Sequence, residues 1–449
     1  MSKQRIQLSD HFTYPRLLRF VLPCIGTMLF TSIYGIVDGL CVSNFVGKTA
    51  FAAVNLIMPL PMLLGTIGFM LGTGGSAIVG ITLGEGDQKK ADRYFTLFLL
   101  AALISVSVLA VLGIVFLRPI AVLLGAKGEL LDYAVRYGRI LMVSLPTFAL
   151  QNMFQSFFVT AEKPHLGFWF TVGAGCTNMV LDVLMVGIWG WGVEGAAIAT
   201  FISQLVGGVL PVFYFIDRSN SSRLHLCKTS FYSKVLRDAC INGSSELMTN
   251  LSMSLVNILY NYQLLRLAGE NGVAAYGVIM YAAFLFVAVF VGYAVGSAPI
   301  VSFHYGARNH AEVHNLYRKS LRLIAVVAVT QTLASMFIIP CVARIFVGYD
   351  AELLALTSRA FRLYALSFLI MGFNVYASSF FTALGDGVTS ALISFLRTLA
   401  FQVIAILLLP MLLGIDGIWL AVTAAELAAL AVSAAMLLTK DKVFHYRKA

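Results

Sequence analysis

Four oxygen-bearing side chains interrupt long apolar stretches in the first half of this 449-residue sequence: Asp38, Asn178, Asp182 and Thr200. Asn178 precedes Asp182 by four residues, so a helix would carry both side chains on one face. Carboxylate, amide and hydroxyl oxygens are the ligands that a small hard cation prefers. The same carboxylates can instead hold a proton, because burial and like charge raise the pKa of a carboxyl group. The four residues therefore predict a cation-binding site for Na⁺ or for a proton.

A polar stripe runs along an apolar stretch of the second half, with spacings of four, seven and four residues: Glu246, Asn250, Asn257 and Asn261. Such a stripe should face protein or water rather than lipid. One interpretation is the wall of a substrate cavity, in which Glu246 attracts a cationic ligand. The other is hydrogen bonding between neighbouring helices. Four further polar residues are candidates for the cavity wall: Gln151, Gln155, Tyr260 and Asn374.

The composition places these residues in a membrane. Hydrophobic residues make up 59% of the chain and charged residues only 12%, whereas soluble domains carry roughly 25% charged residues. Apolar runs of about 20 residues, each able to cross a bilayer, recur along the sequence. The fold expected is an all-α polytopic membrane protein with twelve spans: 15–41, 50–80, 94–117, 133–159, 165–188, 193–216, 238–266, 272–303, 321–346, 360–384, 388–412 and 415–438.

The distribution of positive charge predicts the orientation of these spans. An even number of spans leaves both termini on one side, and 22 of the 31 Lys and Arg fall on that side when Arg397 is counted with the loop before the eleventh span. Loops rich in Lys and Arg stay in the cytoplasm. The net charge of +10 is thus explained by topology, without a nucleic-acid partner. We expect a multi-pass protein of the cell (inner) membrane with both termini cytoplasmic.

The sequence repeats itself at one fixed offset. The offset that aligns Gly84 with Gly306 also aligns Thr160-Ala161 with Thr382-Ala383, and 192–195 with 414–417. The repeat predicts a six-helix half at 1–216, a cytoplasmic linker at 217–237 and a second six-helix half at 238–449. Since each half has six spans, the copies insert in the same orientation, and a substrate site is expected between them near the middle of the membrane.

The two halves differ in chemistry although they share this frame. At the same offset Asp38 aligns with Tyr260, and Asp182 aligns with Ile404. Each aspartate could simply pair with a distant Arg or cap a broken helix, but the clustering of several oxygens in one half favours a functional site. Glu426 lies within the twelfth span and the sequence suggests no partner for it. Pro23 removes one backbone hydrogen bond from the first span and predicts a helix bend there.

Several other functions lack their sequence motifs. Residues 47–49 end like a phosphate-binding loop, but Val42 stands where that loop requires a glycine. Without an ATP site, energy for transport must come from an ion gradient or from the substrate. A prenyl or phospholipid transferase would need an acidic D-D-x-x-D motif or a His-Asp cluster, and neither is found. No cofactor is expected.

The aspartate of the first span, the Asn-x-x-x-Asp of the fifth and Thr200 of the sixth resemble the multidrug and toxic compound extrusion (MATE) family, in particular its DinF- and MepA-like bacterial and archaeal branches. The segment 84–92 after the second span is also similar. The resemblance implies a V-shaped pair of six-helix lobes that exports substrates in exchange for Na⁺ or H⁺. It further implies that Asp38, Asn178, Asp182 and Thr200 form the cation site of the N-terminal lobe.

The resemblance is incomplete in the second half. The NorM-like branch of the family carries acidic residues in the seventh and tenth helices; Glu246 can stand for the first, but the tenth span contains only Asn374. This difference favours ion coupling through the N-terminal lobe. The function expected is therefore a monomeric antiporter for amphipathic, cationic small molecules. The alternatives are a flippase for lipid-linked sugars, against which the scarcity of intramembrane Arg argues, and an intramembrane enzyme.

Overall fold

The computed structural model describes residues 6–46, 48–348 and 350–447, with the backbone alone at 36, 38–45, 48, 51, 342 and 345. The described chain is helical, and its helices are numbered here by the spans they form: α1 (Tyr14–Phe45), α2 (Lys48–Ile57 and Pro59–Gly84), α3 (Gln88–Leu123), α4 (Glu129–Thr160), α5 (Pro164–Asp182 and the π-helical Val183–Ile188), α6 (Gly192–Gly208 and Leu210–Ile216), α7 and α8 (together Ser233–Gly306), α9 (His310–Val347), α10 (Ala351–Ala365 and Phe368–Ala383), α11 (Gly387–Phe395, the π-helical Leu396–Ala400 and Phe401–Leu413), α12 (Ile415–Thr439) and the short α13 (Asp441–Phe444).

Helices occupy each of the twelve predicted spans, so the predicted fold class is confirmed. Within the described ranges, nine helices are long and apolar enough to cross a membrane, or ten with the two parts of α10, which meet at 46°. That count takes α7 and α8 as one helix and does not include α4. Gly269, with φ 60° and ψ −149°, separates α7 from α8, because few residues other than glycine adopt this conformation.

Polar caps at equivalent positions show the repeat in the backbone. The Asp87 carboxylate accepts a hydrogen bond from the Lys90 amide at the start of α3. The Asn309 side chain accepts one from the Glu312 amide at the start of α9. Both side chains satisfy amide groups that have no partner within their own helix. The offset of the sequence repeat aligns Asp87 with Asn309, so the two caps are counterparts.

The hydrophobic core is shared between the halves on one side of the membrane only. On the side of the termini, one cluster joins the ends of α2 and α4 with those of α8 and α10 and with the beginnings of α1, α3 and α9. On the opposite side, one cluster consists of buried residues of the first half, between 50 and 197, and another consists of buried residues of the second half, between 256 and 422. The two halves therefore pack together beside the termini and have separate cores at the other end.

Glycines permit the closest backbone contacts between the halves. A Cβ atom added at Gly84 would lie 2.0 Å from the carbonyl oxygen of Phe303, and one added at Gly306 would lie 2.1 Å from that of Ile81. A Cβ atom at Gly243 would lie 1.9 Å from the carbonyl oxygen of Met70. Side chains at these positions would push α2 away from α7 and α8.

Segments outside the helices reinforce this contact. Arg223, in the segment between α6 and α7, forms an ion pair with Glu162, and its guanidinium lies 4.8 Å from the ring centre of Phe303 in α8. Glu162 also accepts a hydrogen bond of 2.9 Å from the Leu8 amide. The N-terminal segment, α4, α8 and the linker are thus joined at one point.

A second contact ties the N-terminal segment to the second half. The Glu312 carboxylate accepts hydrogen bonds from the Phe12 amide at 2.8 Å and contacts His11 Nδ1 at 2.6 Å. Lys319 Nζ donates to the Phe12 carbonyl at 2.6 Å. The segment before α1 therefore bridges the first half at Glu162 and the second half at Glu312.

We expect Gly84→Ala to destabilise the protein, because its methyl group would overlap the Phe303 carbonyl and overpacking costs about 1–3 kcal/mol. Gly277→Ala is the matched control, since no atom lies within 4 Å of a Cβ atom at that helical position and alanine favours helices. Thermal unfolding of the purified protein should show a lower Tm for Gly84→Ala and an unchanged or higher one for Gly277→Ala. Equal shifts in the two variants would contradict the packing argument.

Candidate functional site

A cavity of about 120 Å³ lies between the halves, lined by α2 and α4 from the first and by α7, α8, α10 and α11 from the second. Its wall is rich in hydroxyl groups and contains two charged side chains. The polar residues around it are Thr73, Ser76, Ser156, Ser245, Glu246, Thr249, Ser378, Ser379, Thr382, Ser394 and Arg397. Eleven of its sixteen lining residues therefore carry polar side chains, although the cavity lies among membrane-spanning helices.

Arg397 belongs to a buried charge cluster in the second half. Its Nε donates a hydrogen bond of 3.0 Å to Glu426 Oε1, and the Glu426 side chain is 1% exposed. Asn374 Nδ2 donates to Glu426 Oε2 at 2.7 Å, and Ser433 Oγ donates to Asn374 Oδ1 at 2.9 Å. Every oxygen of the Glu426 carboxylate is satisfied, as a buried charge requires.

The structure corrects two interpretations of the sequence. Arg397 was counted among the basic residues of the terminus side, but it lines the central cavity from the middle of α11. Glu426 was left without a partner, but it pairs with Arg397 and Asn374. Moving Arg397 out of the count lowers the bias from 22 to 21 of the 31 basic residues, so the predicted orientation is unchanged.

Glu246 faces the same cavity from α7. No Lys, Arg or His nitrogen of the described chain lies within 4.0 Å of its carboxylate, and this distinguishes Glu246 from Glu426. The Asn250 side chain donates to the backbone carbonyl of Glu246 at 2.9 Å. The first two residues of the predicted stripe are therefore hydrogen-bonded to each other within α7.

Serine and threonine side chains form a hydrogen-bonded row beside Arg397. Ser378 Oγ lies 2.9 Å from Ser394 Oγ and 2.8 Å from Ser390 Oγ. Thr382 Oγ1 donates to Ser390 Oγ at 2.8 Å. The row joins α10 to α11 and provides the cavity with neutral groups that can donate or accept.

The first half gathers part of the predicted cation site. Asn178 is 2% exposed and Asp182 is fully buried, and Asn178 Nδ2 lies 3.5 Å from Thr200 Oγ1. The structure thus brings together α5 and α6 at Asn178 and Thr200, with Asp182 on the next turn of α5. Asp38 lies in α1, but its side chain is outside the described residues.

The other residues predicted to line the cavity lie elsewhere. Tyr260 is buried in the core of the second half, with its ring 4.9 Å from that of Tyr276. Gln151 packs against Gly207 of α6, and Gln155 lines a smaller pocket between α1, α4 and α5. The amide of Asn261 donates to the Asn257 carbonyl at 3.0 Å. Together with Asn374, which is buried against Glu426, none of these side chains lines the central cavity.

Both halves place a charged residue at a π-helical turn. Asp182 immediately precedes Val183–Ile188 in α5, and Arg397 lies within Leu396–Ala400 in α11. α5 and α11 are the fifth helices of their halves, although the sequence repeat does not align the two turns with each other. Single π-helical turns are frequent at functional sites because they redirect the side chains around them.

The profile of the MatE family matches the chain twice, over residues 23–184 and 247–408. The chain belongs to the MatE family. The second match begins close to position 245, which the sequence repeat aligns with the start of the first match at position 23. The MatE family consists of membrane transporters, so this chain is a transporter and not an enzyme.

Similar proteins cover the chain nearly end to end. The chain is 22% identical to multidrug export protein MepA of Staphylococcus saprophyticus, over 95% of this chain and 94% of that protein. It is 21% identical to MepA of Staphylococcus aureus strain MSSA476, over 96% of this chain and 95% of that protein. The resemblance to the MATE family is thereby confirmed.

Solved structures share the fold of this MatE-family protein. A crystal structure of MATE in complex with MaL6 has a TM-score of 0.92 at 22% identity, with 100% of each chain covered. An outward-facing multidrug resistance MATE family transporter has a TM-score of 0.90 at 23% identity, with 96% of each chain covered. A MOP superfamily transporter from Pyrococcus furiosus, described as having a binding pocket of reversed polarity, has a TM-score of 0.90 at 22% identity over 100% of each chain.

We expect Glu426→Ala to destabilise this MatE-family protein strongly, because it leaves the Arg397 charge buried without its partner. Breaking a buried ion pair in this way costs about 3–5 kcal/mol. Glu85→Ala, at an exposed position after α2, is the control and should change stability little. Denaturant unfolding in detergent measures both, and a small effect of Glu426→Ala would show that the buried pair contributes little.

Proposed function

We propose that this protein is a cation-coupled antiporter that exports amphipathic cations by alternating access. Na⁺ or H⁺ would bind at Asp38, Asn178, Asp182 and Thr200 in the first half, while the substrate would bind in the cavity between the halves. The observation that carries the proposal is the fully buried Asp182 carboxylate, one helical turn from the Asn178–Thr200 contact, in a bundle whose halves share a core on one side only.

A buried carboxylate supports ion coupling because its charge is costly within the membrane. Insertion scales put an aspartate at about 2.5–3.5 kcal/mol at the centre of a membrane helix. Binding of Na⁺ or H⁺ would neutralise this charge and change the preferred packing around it. Oxygen ligands suit either ion, so the proposal covers both.

The packing of α5 against α1 offers a route for such a change. Gly175 lies one turn before Asn178, and a Cβ atom there would lie 2.5 Å from the ring of Phe30 in α1. A shift of α5 would therefore displace α1 directly. Pro23 has no amide hydrogen to donate within α1, so this helix can bend more easily at that point.

The division of the core supports alternating access. Opposite the termini, buried residues selected from 50–197 form one core and buried residues selected from 256–422 form another, so each half can move there as a rigid unit. Only the contacts beside the termini would have to open and re-form. With both termini in the cytoplasm of a cell-membrane protein, the described conformation is closed to the cytoplasm.

The cavity and the relatives support an organic cation as substrate. Glu246 provides a carboxylate without a close cationic partner among the described residues, and the MepA proteins are named as multidrug export proteins. A cavity of about 120 Å³ is smaller than the roughly 300–1,000 Å³ typical of sites for drug-sized ligands, so substrate binding requires the halves to separate further. We propose that the protein works as a monomer.

Replacing Asp182 with Asn should reduce ion-driven export at least about tenfold, because an amide carries no negative charge for a cation or a proton to neutralise. Asp38→Asn should have the same effect. Asp132→Asn, at an exposed position in the first turn of α4, is the matched control and should keep full activity. Uptake of a fluorescent cation into inverted proteoliposomes, driven by a Na⁺ or an H⁺ gradient alone, measures this and identifies the coupling ion. Undiminished export in both variants would refute the coupling role.

Arg223→Ala should open the terminus side more often, since it removes the ion pair with Glu162 and the contact with Phe303. Cys24 is 5% exposed within the shared core and can report this opening in a chain whose other cysteines are replaced by serine. We expect maleimide labelling of Cys24 to rise about fivefold, the equivalent of ~1 kcal/mol. Arg218→Ala, at an exposed position in the same segment, should leave the rate unchanged. Equal rates in the two variants would contradict the proposed closure.

A further inference from the structure

The guanidinium of Arg397 retains unused hydrogen-bonding capacity at the cavity wall. Its Nε is occupied by Glu426, but no side chain or carbonyl of the described chain accepts a hydrogen bond from Nη1 or Nη2. The side chain is 13% exposed and lines the cavity. Hydrogen bonds from a charged guanidinium to an anionic acceptor are strong, so a ligand that accepts from this fork would be stabilised there.

Hydroxyl groups of the serine and threonine row add further hydrogen-bond donors to the cavity wall near Arg397. Ser394 lies three residues before Arg397 on α11, and Ser378 of α10 lies 2.9 Å from it. Both line the cavity. A planar guanidinium beside two hydroxyls matches the paired oxygens of a carboxylate, which guanidinium groups bind through two parallel hydrogen bonds.

Charge balance restricts the ligand that this surface can accept. The ion pair with Glu426 already offsets the charge of Arg397, and Glu246 adds a carboxylate to the same cavity. A simple anion would therefore meet repulsion from Glu246, whereas a simple cation would leave the Arg397 fork unsatisfied. A ligand with one negative and one positive group satisfies both.

We propose that Arg397, Ser378 and Ser394 form a subsite for the carboxylate of zwitterionic substrates, whose cationic group faces Glu246. This inference rests on the proposed export function and narrows its substrate class. The cavity volume of about 120 Å³ suits a carboxylate and the atoms next to it, while the apolar part of the substrate extends into space opened between the halves. The π-helical turn at Leu396–Ala400 positions Arg397 to contact Glu426 and the cavity together.

Rhodamine 110 and rhodamine 123 test this subsite, because the first is a zwitterion and the second is its methyl ester, a cation of nearly the same shape. Binding of each dye to the purified protein in nanodiscs can be measured by fluorescence anisotropy. Since Arg397→Gln alone would leave Glu426 buried and unpaired, the main variant is Arg397→Gln/Glu426→Gln. We expect it to weaken rhodamine 110 binding at least about tenfold, the value of a lost charge-assisted hydrogen bond, and to change rhodamine 123 binding less than twofold.

Three further variants separate a binding role from a structural one. Glu426→Gln alone should bind rhodamine 110 at least as well as the unmodified protein, because Arg397 remains. Arg397→Lys should weaken rhodamine 110 binding selectively, since the charge is kept and the fork is lost. Arg218→Gln, far from the cavity in the linker, should alter neither affinity.

The outcomes distinguish this inference from the proposed function. Equal losses of both dyes in the double variant, or no loss of either, would overturn the carboxylate subsite. Binding of rhodamine 123 without rhodamine 110 by the unmodified protein would also overturn it, while leaving cation export intact. If the unmodified protein bound neither dye, the proposed substrate class itself would be refuted.

Discussion

The cost of burying a charge in an apolar membrane shapes both halves of this transporter. In the second half, Glu426 has permanent partners, because Arg397 and Asn374 satisfy both of its oxygens. In the first half, Asp182 is equally buried, and one turn away the Asn178 amide donates to the Thr200 hydroxyl oxygen. A permanent ion pair makes a site rigid, whereas a carboxylate that exchanges a bound cation or proton, as proposed for Asp182, can alternate between two states. The same constraint thus gives one half an anchor and the other a candidate switch.

Closure beside the termini combines the core that the spans share with contacts from parts of the chain outside the spans. Residues before α1 reach Glu162 of the first half and Glu312 of the second, and Arg223 of the linker contacts Phe303 of α8. These contacts add to the apolar core that the halves share on this side, whereas the cores at the opposite end are separate. The two halves are therefore held together beside the termini by apolar and polar contacts together.

Much of the fold follows from the sequence. The length of each apolar run and the repeat between the halves can both be recognised without knowing which distant residues are in contact. The spans and the shared frame of the halves could be predicted for this reason, as could the pairing of Asn178 with Thr200 across neighbouring helices. The position of the cavity between the halves and the presence of Glu246 in its wall could also be predicted, but most of its lining could not. Helical spacing placed Asn257 and Asn261 on one stripe, but spacing alone does not tell which neighbour the stripe faces, and Tyr260 packs on Tyr276 instead. Arg397 and Glu426 are oppositely charged residues in consecutive spans, a signal that could have predicted their pairing had Arg397 been assigned to the membrane.

The contact between Gly84 and Gly306 has a consequence for the origin of the molecule. These glycines occupy equivalent positions of the two copies, yet they face each other across the junction. In a symmetric dimer, only a residue on the two-fold axis meets its own copy, so this point marks where two identical subunits of an ancestor would have touched. After a linker joined the two copies in one chain, a substitution in one copy no longer appeared in the other. One copy could then carry an aspartate where the other carries a tyrosine, as at the aligned positions Asp38 and Tyr260, and the two copies could take on different functions.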